Sequence, residues 1–349
     1  MLFSQWDYQM MSLALTLAKK GIYNARPNPM VGCVISRQER IVATGYHQQC
    51  GGAHAEIEAL KQAGASACGS TVYVTLEPCS YTGRTPPCTD ALIKAQVRRV
   101  VAAVLDPNPK VCGSGLDQLK QAGIEVENGL LAADAECLNR DFFKRMREKK
   151  PFVLAKAAVS LDGNMALKDG TSQWITSPSA RLDVQRLRAK SGAILTGSGT
   201  VLTDNPKLTV REIGCVKQPL RVVLDTTNRL LNKHDELHIF TDGGDTLVLT
   251  EHNTQLADDR RLDLQNVLTK LAELEINTVL VEAGHTLLSA LLSAHLVDEL
   301  ILYMAPIMLG KNAQNIAAFT VEKMAERLSF NLQEVRCVGD DMRLTLSAK

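Results

Sequence analysis

The sequence predicts two successive α/β domains. Strand-like runs rich in valine, isoleucine and leucine alternate with helix-like runs along the chain, a pattern that places helices on both faces of a sheet. At 349 residues the chain is long enough for two ordinary domains, each with its own core. A charged run ending in Lys149-Lys150-Pro151 interrupts the pattern, and the strand-like series then starts again. We therefore predict a first domain over residues 1–150 and a second over residues 151–349.

Composition restricts the class of protein. Hydrophobic residues make up 45% of the chain and charged residues 22%, which is typical of a globular protein. The net charge of +1 gives no basic field for a nucleic acid, and no apolar stretch approaches the roughly 20 residues that span a bilayer. Nine cysteines without a framework spacing, and an N-terminus that lacks a signal peptide, favour a reducing compartment. We expect a cytoplasmic enzyme with no nucleic-acid partner and no membrane partner.

The first domain begins with a helix, in which apolar residues recur at helical spacing from Tyr8 until Gly21. A strand hairpin follows, then a helix from His54 to Ala63 and a third strand from Thr71 to Leu76. Thr89 is predicted to cap the next helix. The remaining strands are predicted at 100–105 and 124–127, and a final helix begins near residue 130.

The second domain begins with a strand from Phe152 to Val159. Ser177 and Pro178 are a typical N-cap and first helical residue, and they predict a helix through Lys190. Further strands are predicted at 193–196, 220–224, 238–240, 246–249, 279–282, 299–304 and 342–346, and further helices at 262–274 and 286–294.

A catalytic metal site is indicated by His54, Cys79 and Cys88. One imidazole and two thiols provide three zinc ligands, and a catalytic zinc site keeps its fourth position open for water. Glu56 lies two residues after His54, where a carboxylate can move a proton from water to a leaving amine. His-X-Glu followed by Pro-Cys and a second Cys is the signature of zinc deaminases that act on nucleobases. We predict one Zn²⁺ held by these three ligands, with Glu56 as the proton shuttle.

Two alternatives stay open at this point. A fourth protein ligand from Cys68, Cys50 or His47 would close the metal site and make the first domain a non-catalytic binding module. A deaminase of nucleic-acid bases with an accessory domain would also carry the zinc motif, but the near-neutral charge weighs against it.

Eight residues separate Cys79 from Cys88, where the common deaminase pattern has two. Together with the segments Asn28-Pro29-Met30-Val31-Gly32-Cys33, His54-Ala55-Glu56, Glu77-Pro78-Cys79 and Gly83-Arg84-Thr85-Pro86-Pro87-Cys88, this spacing resembles the deaminase half of the bifunctional riboflavin-biosynthesis deaminase/reductases. The resemblance implies a cytidine-deaminase-like α/β/α sandwich with a mixed sheet. It also implies that the substrate is a diaminopyrimidinone bearing a ribosylamino 5-phosphate, contacted by Asn28, His47 and Arg84. An arginine suits a phosphate, and an asparagine suits a ribose hydroxyl or a base edge.

The second domain carries small-residue turns at 196–200 and 282–286, but neither is a Gly-X-Gly-X-X-Gly fingerprint, so a Rossmann domain is not indicated. The segments Lys156–Gly163, Ser172–Thr176, Gly197–Thr200, Asp204–Arg211 and Val281–Gly284 resemble the reductase half of the same family, which has a dihydrofolate-reductase-like fold. The resemblance implies NADPH contacts from Ala158, Trp174, Thr200, Asp204, Gly284, His285 and Thr286. It implies substrate contacts from Lys156, Ser172, Arg188, Leu208, Arg211 and Glu282.

The resemblance therefore covers nearly the whole chain and implies a two-step enzyme that acts on small phosphorylated pyrimidines. The second step delivers a hydride to C1 of the opened ribose and leaves a ribityl chain. Lys156, Asp162 and Glu282 are candidates for the proton donor, and the sequence does not rank them. His285 occupies a turn position where we expect a smaller or stiffer residue. We also expect a homo-oligomer, whose size the sequence does not give.

Overall fold

The computed structural model describes residues 3–82, 86–108, 112–214 and 217–349. The chain forms two compact units, Met1–Lys149 and Lys150–Lys349. Each unit has its own large sheet with its own buried apolar clusters. Arg84, a predicted substrate contact, lies outside the described residues.

The first unit is a five-stranded mixed sheet with helices on both faces. Its strands run in the order β2-β1-β3-β4-β5; β1 is antiparallel to β2 and β3, whereas β3, β4 and β5 are parallel. The strands are β1 (Gly32–Arg37), β2 (Arg40–Tyr46), β3 (Thr71–Val74), β4 (Arg99–Ala102) and β5 (Glu125–Asn128). The helices are α1 (Gln5–Ala18), α2 (Ala55–Ala63), α3 (Cys88–Lys94), α4 (Ser114–Gln121), α5 (Ala132–Leu138) and α6 (Arg140–Glu148).

Alternation along the strands divides the first core into two layers. In β3, Val72 and Val74 pack with α2, α3 and α4, while Tyr73 between them packs with α1 and α5. Successive strand residues point to opposite faces, so a run of buried residues such as 71–74 serves both layers. The result is the α/β/α sandwich that the sequence predicts.

The second unit contains an eight-stranded sheet in the order β10-β9-β8-β11-β6-β12-β15-β14, in which only the pairings of β15 are antiparallel. Its strands are β6 (Phe152–Ser160), β7 (Asn164–Ala166), β8 (Ala193–Gly197), β9 (Leu220–Leu224), β10 (Thr246–Leu249), β11 (Thr278–Val281), β12 (Glu299–Ala305), β13 (Gln314–Asn315), β14 (Phe330–Val338) and β15 (Asp341–Ala348). Its helices are α7 (Pro178–Lys190), α8 (Ser198–Asp204), α9 (His238–Thr241), α10 (Leu264–Glu273) and α11 (His285–Ser293). Strands β7 and β13 form a separate two-stranded sheet. Helices α10 and α11 cover one face of the large sheet, and α7, α8 and α9 cover the other.

Two predictions of local structure are wrong. His238–Thr241 forms a single helical turn where the sequence predicts a strand. Ile239 is fully buried there, and so short an apolar run does not distinguish a helical turn from a strand. Thr89 does not cap α3, because that helix begins at Cys88 with Pro87 as its N-cap.

Two elements have no clear signal in the sequence. Strand β14 is exposed along most of its length, and polar residues interrupt the apolar alternation on both of its faces. Helix α8 begins with Ser198-Gly199-Thr200, residues with weak helix propensity. In the part of the chain that the structure describes, no helix is long and apolar enough to cross a bilayer.

A buried ionic network fixes α1 to the sheet of the first unit. Arg99 Nη1 donates to Asp7 Oδ1 at 2.7 Å, and Arg99 Nε donates to Glu127 Oε2 at 2.6 Å. The Tyr73 hydroxyl donates to Asp7 Oδ1 at 2.7 Å. Burial alone would raise the pKa of Asp7, but hydrogen bonds from Arg99, Tyr73 and Ser4 outweigh it and hold the pKa below its ordinary value.

We expect Asp7→Asn to destabilise the first unit by about 2 kcal/mol, because it leaves the half-buried Arg99 guanidinium without one of its two carboxylates. The folded-state pKa of Asp7 is lowered, so its contribution is present above the unfolded pKa of about 4 and fades as the pH falls below it. Denaturant unfolding followed through Trp6 in a Trp174→Phe background measures this unit, since the chain has two tryptophans. The exposed Asp134→Asn is the control. If the difference in free energy of unfolding between wild type and Asp7→Asn were as large at pH 3 as at neutral pH, the stabilising role of ionised Asp7 would be contradicted.

Candidate functional site

The structure brings His54, Cys79 and Cys88 together. Their ligand atoms lie within 4.8 Å of one another. His54 Nδ1 is 3.2 Å from Cys88 Sγ and 3.6 Å from Cys79 Sγ. His54 is the N-cap of α2, Cys79 lies in the segment after β3, and Cys88 is the first residue of α3. Three separate elements therefore converge on one point.

Local backbone contacts hold the two sulfurs. The Cys88 backbone N–H donates to Cys79 Sγ at 3.3 Å, and the Thr89 N–H donates to the Cys79 carbonyl at 3.2 Å. A hydrogen bond from the Cys88 thiol lowers the pKa of Cys79 to about 4, and His54 acts in the same direction. The same bond to Cys79, together with burial, raises the pKa of Cys88. The two cysteines therefore share one proton, which lies on Cys88. A metal that binds thiolates would displace that proton.

This donor set fits zinc. One imidazole nitrogen and two sulfurs are ligands that Zn²⁺ prefers, and three protein ligands leave one position for water. Among the residues that the structure describes, no other histidine, cysteine or acidic side chain joins this group. The closed four-ligand site considered above is therefore not supported by the described residues. His47, one of its candidate ligands, makes two other hydrogen bonds.

Glu56 lies in the first turn of α2 and is only 3% exposed. Burial raises the pKa of its carboxyl, and the nearby His54 partly opposes that shift. Its side chain also contacts the Cys88 thiol. A buried carboxyl beside the metal ligands, with its pKa moved toward neutrality, is suited to accept a proton and to return it.

His47 and Asn28 form a hydrogen-bonded pair beside the metal ligands. The His47 ring lies at 87° to the His54 ring, with centroids 5.6 Å apart. His47 Nδ1 is 3.0 Å from the Ala53 carbonyl, which can only accept, so Nδ1 carries the proton. Nε2, 3.1 Å from Asn28 Nδ2, then accepts from that amide. Burial lowers the pKa of His47 and favours this neutral form. The side-chain carbonyl oxygen of Asn28 is then oriented so that it can accept from another donor.

Asp106 and Asn108 were not singled out from the sequence. They follow β4, at the same sheet edge where β3 leads to Cys79. Burial and the charges of Glu77 and Cys79 raise the pKa of Asp106 to about 6. The Asn108 N–H donates to Asp106 Oδ1 at 2.8 Å. A polar pair just beyond a parallel strand could have indicated this position, because ligands bind at the carboxyl ends of such strands.

The second unit contains a cavity of about 1750 Å³. All thirteen residues that the resemblance implies for the reductase line it: Lys156, Ala158, Ser172, Trp174, Arg188, Thr200, Asp204, Leu208, Arg211, Glu282, Gly284, His285 and Thr286. The cavity lies at the carboxyl ends of the parallel strands β8, β11 and β6, the usual position of a ligand in an open α/β sheet.

An ion pair lies in the wall of this cavity. Arg188 Nε and Nη2 donate to the two oxygens of Glu282 at 2.6 and 2.9 Å, and Arg188 Nη1 donates to the Thr209 carbonyl at 3.3 Å. Burial alone would raise the pKa of Glu282, but Arg188 outweighs it and lowers that pKa. The pair is therefore charged and rigidly oriented.

Lys156 lies near Glu282, Arg188 and Asp204. Burial lowers the pKa of its ammonium group, while Glu282 and Asp204 partly restore it. Asp162 has a different environment: its carboxylate accepts from the Ser160 hydroxyl and from the backbone N–H groups of Leu309 and Gly310. These bonds lower the pKa of Asp162 to about 2. Asp162 thus anchors the loop at Leu309 and Gly310. Lys156, by contrast, faces the cavity, and its lowered pKa makes its proton easier to lose.

Trp174 and the turn after β11 form further parts of the cavity wall. Trp174 is 68% exposed and stacks beneath the Arg181 guanidinium, 4.5 Å from the ring centroid. The Gly284 N–H donates to Thr200 Oγ1 at 3.2 Å, which links α8 to the N-terminus of α11. His285 is the first residue of α11 and lines the cavity. An exposed aromatic face and a glycine turn are suited to a nicotinamide dinucleotide.

Comparison with known families follows the division into two units. The cytidine and deoxycytidylate deaminase zinc-binding region matches residues 4–104. The RibD C-terminal domain matches residues 151–344. The first unit is therefore a zinc-binding deaminase domain and the second a reductase domain, as the resemblance implies.

Relatives match over the whole length. The riboflavin biosynthesis protein RibD of Escherichia coli is 46% identical, over 97% of this chain and 99% of its own. The solved structure of Acinetobacter baumannii RibD, form 1, superposes with a TM-score of 0.92 at 42% identity, covering 99% of both chains. A diaminohydroxyphosphoribosylaminopyrimidine deaminase/5-amino-6-(5-phosphoribosylamino)uracil reductase from Thermotoga maritima superposes with a TM-score of 0.88 at 32% identity, again over 99% of both chains. These matches confirm the predicted fold class, and the chain belongs to the RibD family of bifunctional riboflavin-biosynthesis deaminase/reductases.

Proposed function

We propose that the first unit hydrolyses the 2-amino group of 2,5-diamino-6-(5-phosphoribosylamino)pyrimidin-4(3H)-one to give 5-amino-6-(5-phosphoribosylamino)uracil and ammonia. The second unit then reduces the ribosyl group of that product to ribityl with NADPH. The observation that carries the proposal is the open His54, Cys79 and Cys88 group with Glu56 beside it, on one chain with the reductase cavity. The name of the Thermotoga relative pairs the same two activities.

In the deaminase step, His54, Cys79 and Cys88 would hold Zn²⁺, which when bound would lower the pKa of a water molecule to about 7. Glu56 accepts the proton of that water as it attacks the carbon bearing the amine. Glu56 then returns a proton to the nitrogen, which leaves as ammonia. The raised pKa of Glu56 suits both transfers, because the group must hold the proton between them.

Substrate recognition is assigned to polar groups around the zinc ligands. His47 is neutral and donates its Nδ1 proton to the Ala53 carbonyl. Its Nε2 accepts from the Asn28 amide and so orients that amide. Asn28 Oδ1 is then available to a ribose hydroxyl or a base edge. Asp106 and Asn108 can bind the amino and ring N–H groups of the pyrimidine. Arg84, by its residue type and place in the sequence, is proposed to bind the phosphate.

Removal of zinc is expected to separate the two activities. A chelator should lower ammonia release by about 100-fold or more, because no water is then activated, while NADPH oxidation with the deaminated product is unchanged. Cys88→Ala should behave like chelated enzyme, and the exposed Cys68→Ser should keep both zinc and activity. Ammonia release that survived complete loss of zinc would contradict the proposal.

In the reductase step, bound NADPH supplies the hydride. Trp174, Thr200 and the turn from Gly284 to Thr286 are proposed to hold the cofactor, with Ala158 and Asp204 beside it. Ser172, Leu208, Arg211 and the Arg188–Glu282 pair are proposed to hold the substrate. The fixed ion pair orients the ribosyl chain, and Arg211 is suited to its phosphate.

Lys156 is proposed as the proton donor. When C1 of the ring-opened imine gains a hydride, the imine nitrogen must gain a proton. Glu282 is held ionised by Arg188, and Asp162, with a pKa of about 2, carries no proton near neutrality. Lys156 faces the cavity and its pKa is lowered by burial, so its ammonium group releases a proton more easily than an exposed lysine does.

Two further assignments stay predictions. We propose a cytoplasmic location, because nine cysteines without a framework spacing favour a reducing compartment. We also propose that the chain forms a homo-oligomer.

A further inference from the structure

Glu77 is a buried carboxylate that the proposed chemistry does not use. It is 3% exposed and lies two residues before Cys79. Its Oε2 accepts from the backbone N–H groups of Asp106 at 3.2 Å and Gly113 at 2.9 Å. Its Oε1 accepts from the N–H groups of Gly115 at 2.9 Å and Leu116 at 3.3 Å. One side chain thus binds four backbone donors.

These four donors belong to the loop that follows β4 and to the start of α4. Asp106 and Gly113 bond to the same oxygen, so Glu77 holds the two ends of the 106–113 loop together. The first turn of α4 is held by the other oxygen. Gly115 packs so closely that an added Cβ would lie 2.0 Å from the Pro78 carbonyl oxygen. Asp106, Gly113 and the first turn of α4 are therefore fixed directly to the Glu77-Pro78-Cys79 segment.

An ionised carboxylate is required for this arrangement. It offers only acceptors, and two oxygens can satisfy four N–H groups. A glutamine would turn an NH₂ group toward two of these donors and leave them without an acceptor. Because the loop carries Asp106 and Asn108, release of its ends would move those groups relative to Cys79.

We infer that Glu77 is a positioning residue, which holds Asp106 and Gly113 against the zinc-binding segment and so sets the affinity of the deaminase for its substrate. It acts through Asp106 and Asn108. The inference rests on the proposed deaminase function and adds a determinant of binding to it.

The test is Glu77→Gln in the full-length chain. We expect one zinc per chain as in wild type, a kcat for ammonia release within about threefold of wild type, and a KM for the diaminopyrimidine phosphate raised about 10-fold or more, since a tenfold change corresponds to about 1.4 kcal/mol. Amide hydrogen exchange should increase at Gly113, Gly115 and Leu116 and stay unchanged in β3. Asp117→Asn removes an acidic group from the same first turn of α4 without touching the loop, and it should leave both KM and exchange unchanged.

If Glu77 had a purely structural role, kcat would fall with the folded, zinc-loaded fraction while KM stayed constant. That result would overturn the inference. Glu77→Asp keeps the charge but is one methylene too short to reach both loop ends, so restoration of the wild-type KM by aspartate would also overturn it. If Glu77→Gln does not fold, Gly115→Ala displaces α4 from Pro78 and should raise KM in the same way. Wild-type enzyme that released no ammonia would instead refute the proposed function.

Discussion

Glu56→Gln should lower the rate of ammonia release by about 10³-fold while the enzyme retains its zinc, because general acid–base groups contribute about 10²–10⁴-fold. Glutamine keeps the size of the side chain but can neither accept the proton from water nor return it to the amine. The three ligands are untouched, so metal analysis should still give one zinc per chain. NADPH oxidation with the deaminated pyrimidine should be unchanged, since the reductase cavity lies within the other unit.

The matched control is Glu58→Gln, which makes the same substitution two residues further along α2. It should release ammonia at the wild-type rate. Normal ammonia release from Glu56→Gln would refute the role of Glu56. Loss of zinc from that variant would assign Glu56 to the metal site instead of to proton transfer.

Lys156→Met should lower kcat of the reductase by about 10²-fold or more, in the range of a lost proton donor. Methionine fills a similar volume, and Glu282 keeps its pair with Arg188, so no buried carboxylate is left without a partner. Stopped-flow measurement of NADPH oxidation with the deaminated product tests this on the intact chain. Lys233→Met, an exposed lysine outside the cavity lining, is the control.

The pH dependence gives a second readout for Lys156. Burial lowers the pKa of Lys156, so in wild type the donor loses its proton, and activity falls, at a lower pH than for an exposed lysine. The residual activity of Lys156→Met should lack this alkaline decline. An unchanged kcat, or an unchanged decline in the variant, would exclude Lys156 as the donor.

The sequence was sufficient for the fold class and for most residues that meet in the two sites. His54, Cys79 and Cys88 could be identified because metal ligation restricts residue type and spacing strongly. The reductase cavity needed the family resemblance, since its residues come from several loops and none of its turns has a diagnostic spacing. The structure then placed all thirteen along one cavity.

What the sequence did not provide depends on contacts between distant segments. In the sequence, Glu77 is only part of a zinc motif. The folded chain shows that its carboxylate accepts from the backbone N–H of Asp106. Likewise, the neutral tautomer of His47 follows from Ala53 and Asn28, which no periodicity connects with it. The strand predicted at 238–240 failed for a local reason, because one buried isoleucine does not define a period.

The zinc-binding segment and the Asp106 loop both leave the carboxyl ends of parallel strands, whereas the turns that enter those strands lie at the opposite edge of the sheet. In the first unit, for example, the chain enters β3 through Gly69 and β5 through Gly123, and an added Cβ at either glycine meets no described atom within 4 Å. We therefore expect a change in the length of those turns to leave the catalytic groups in place.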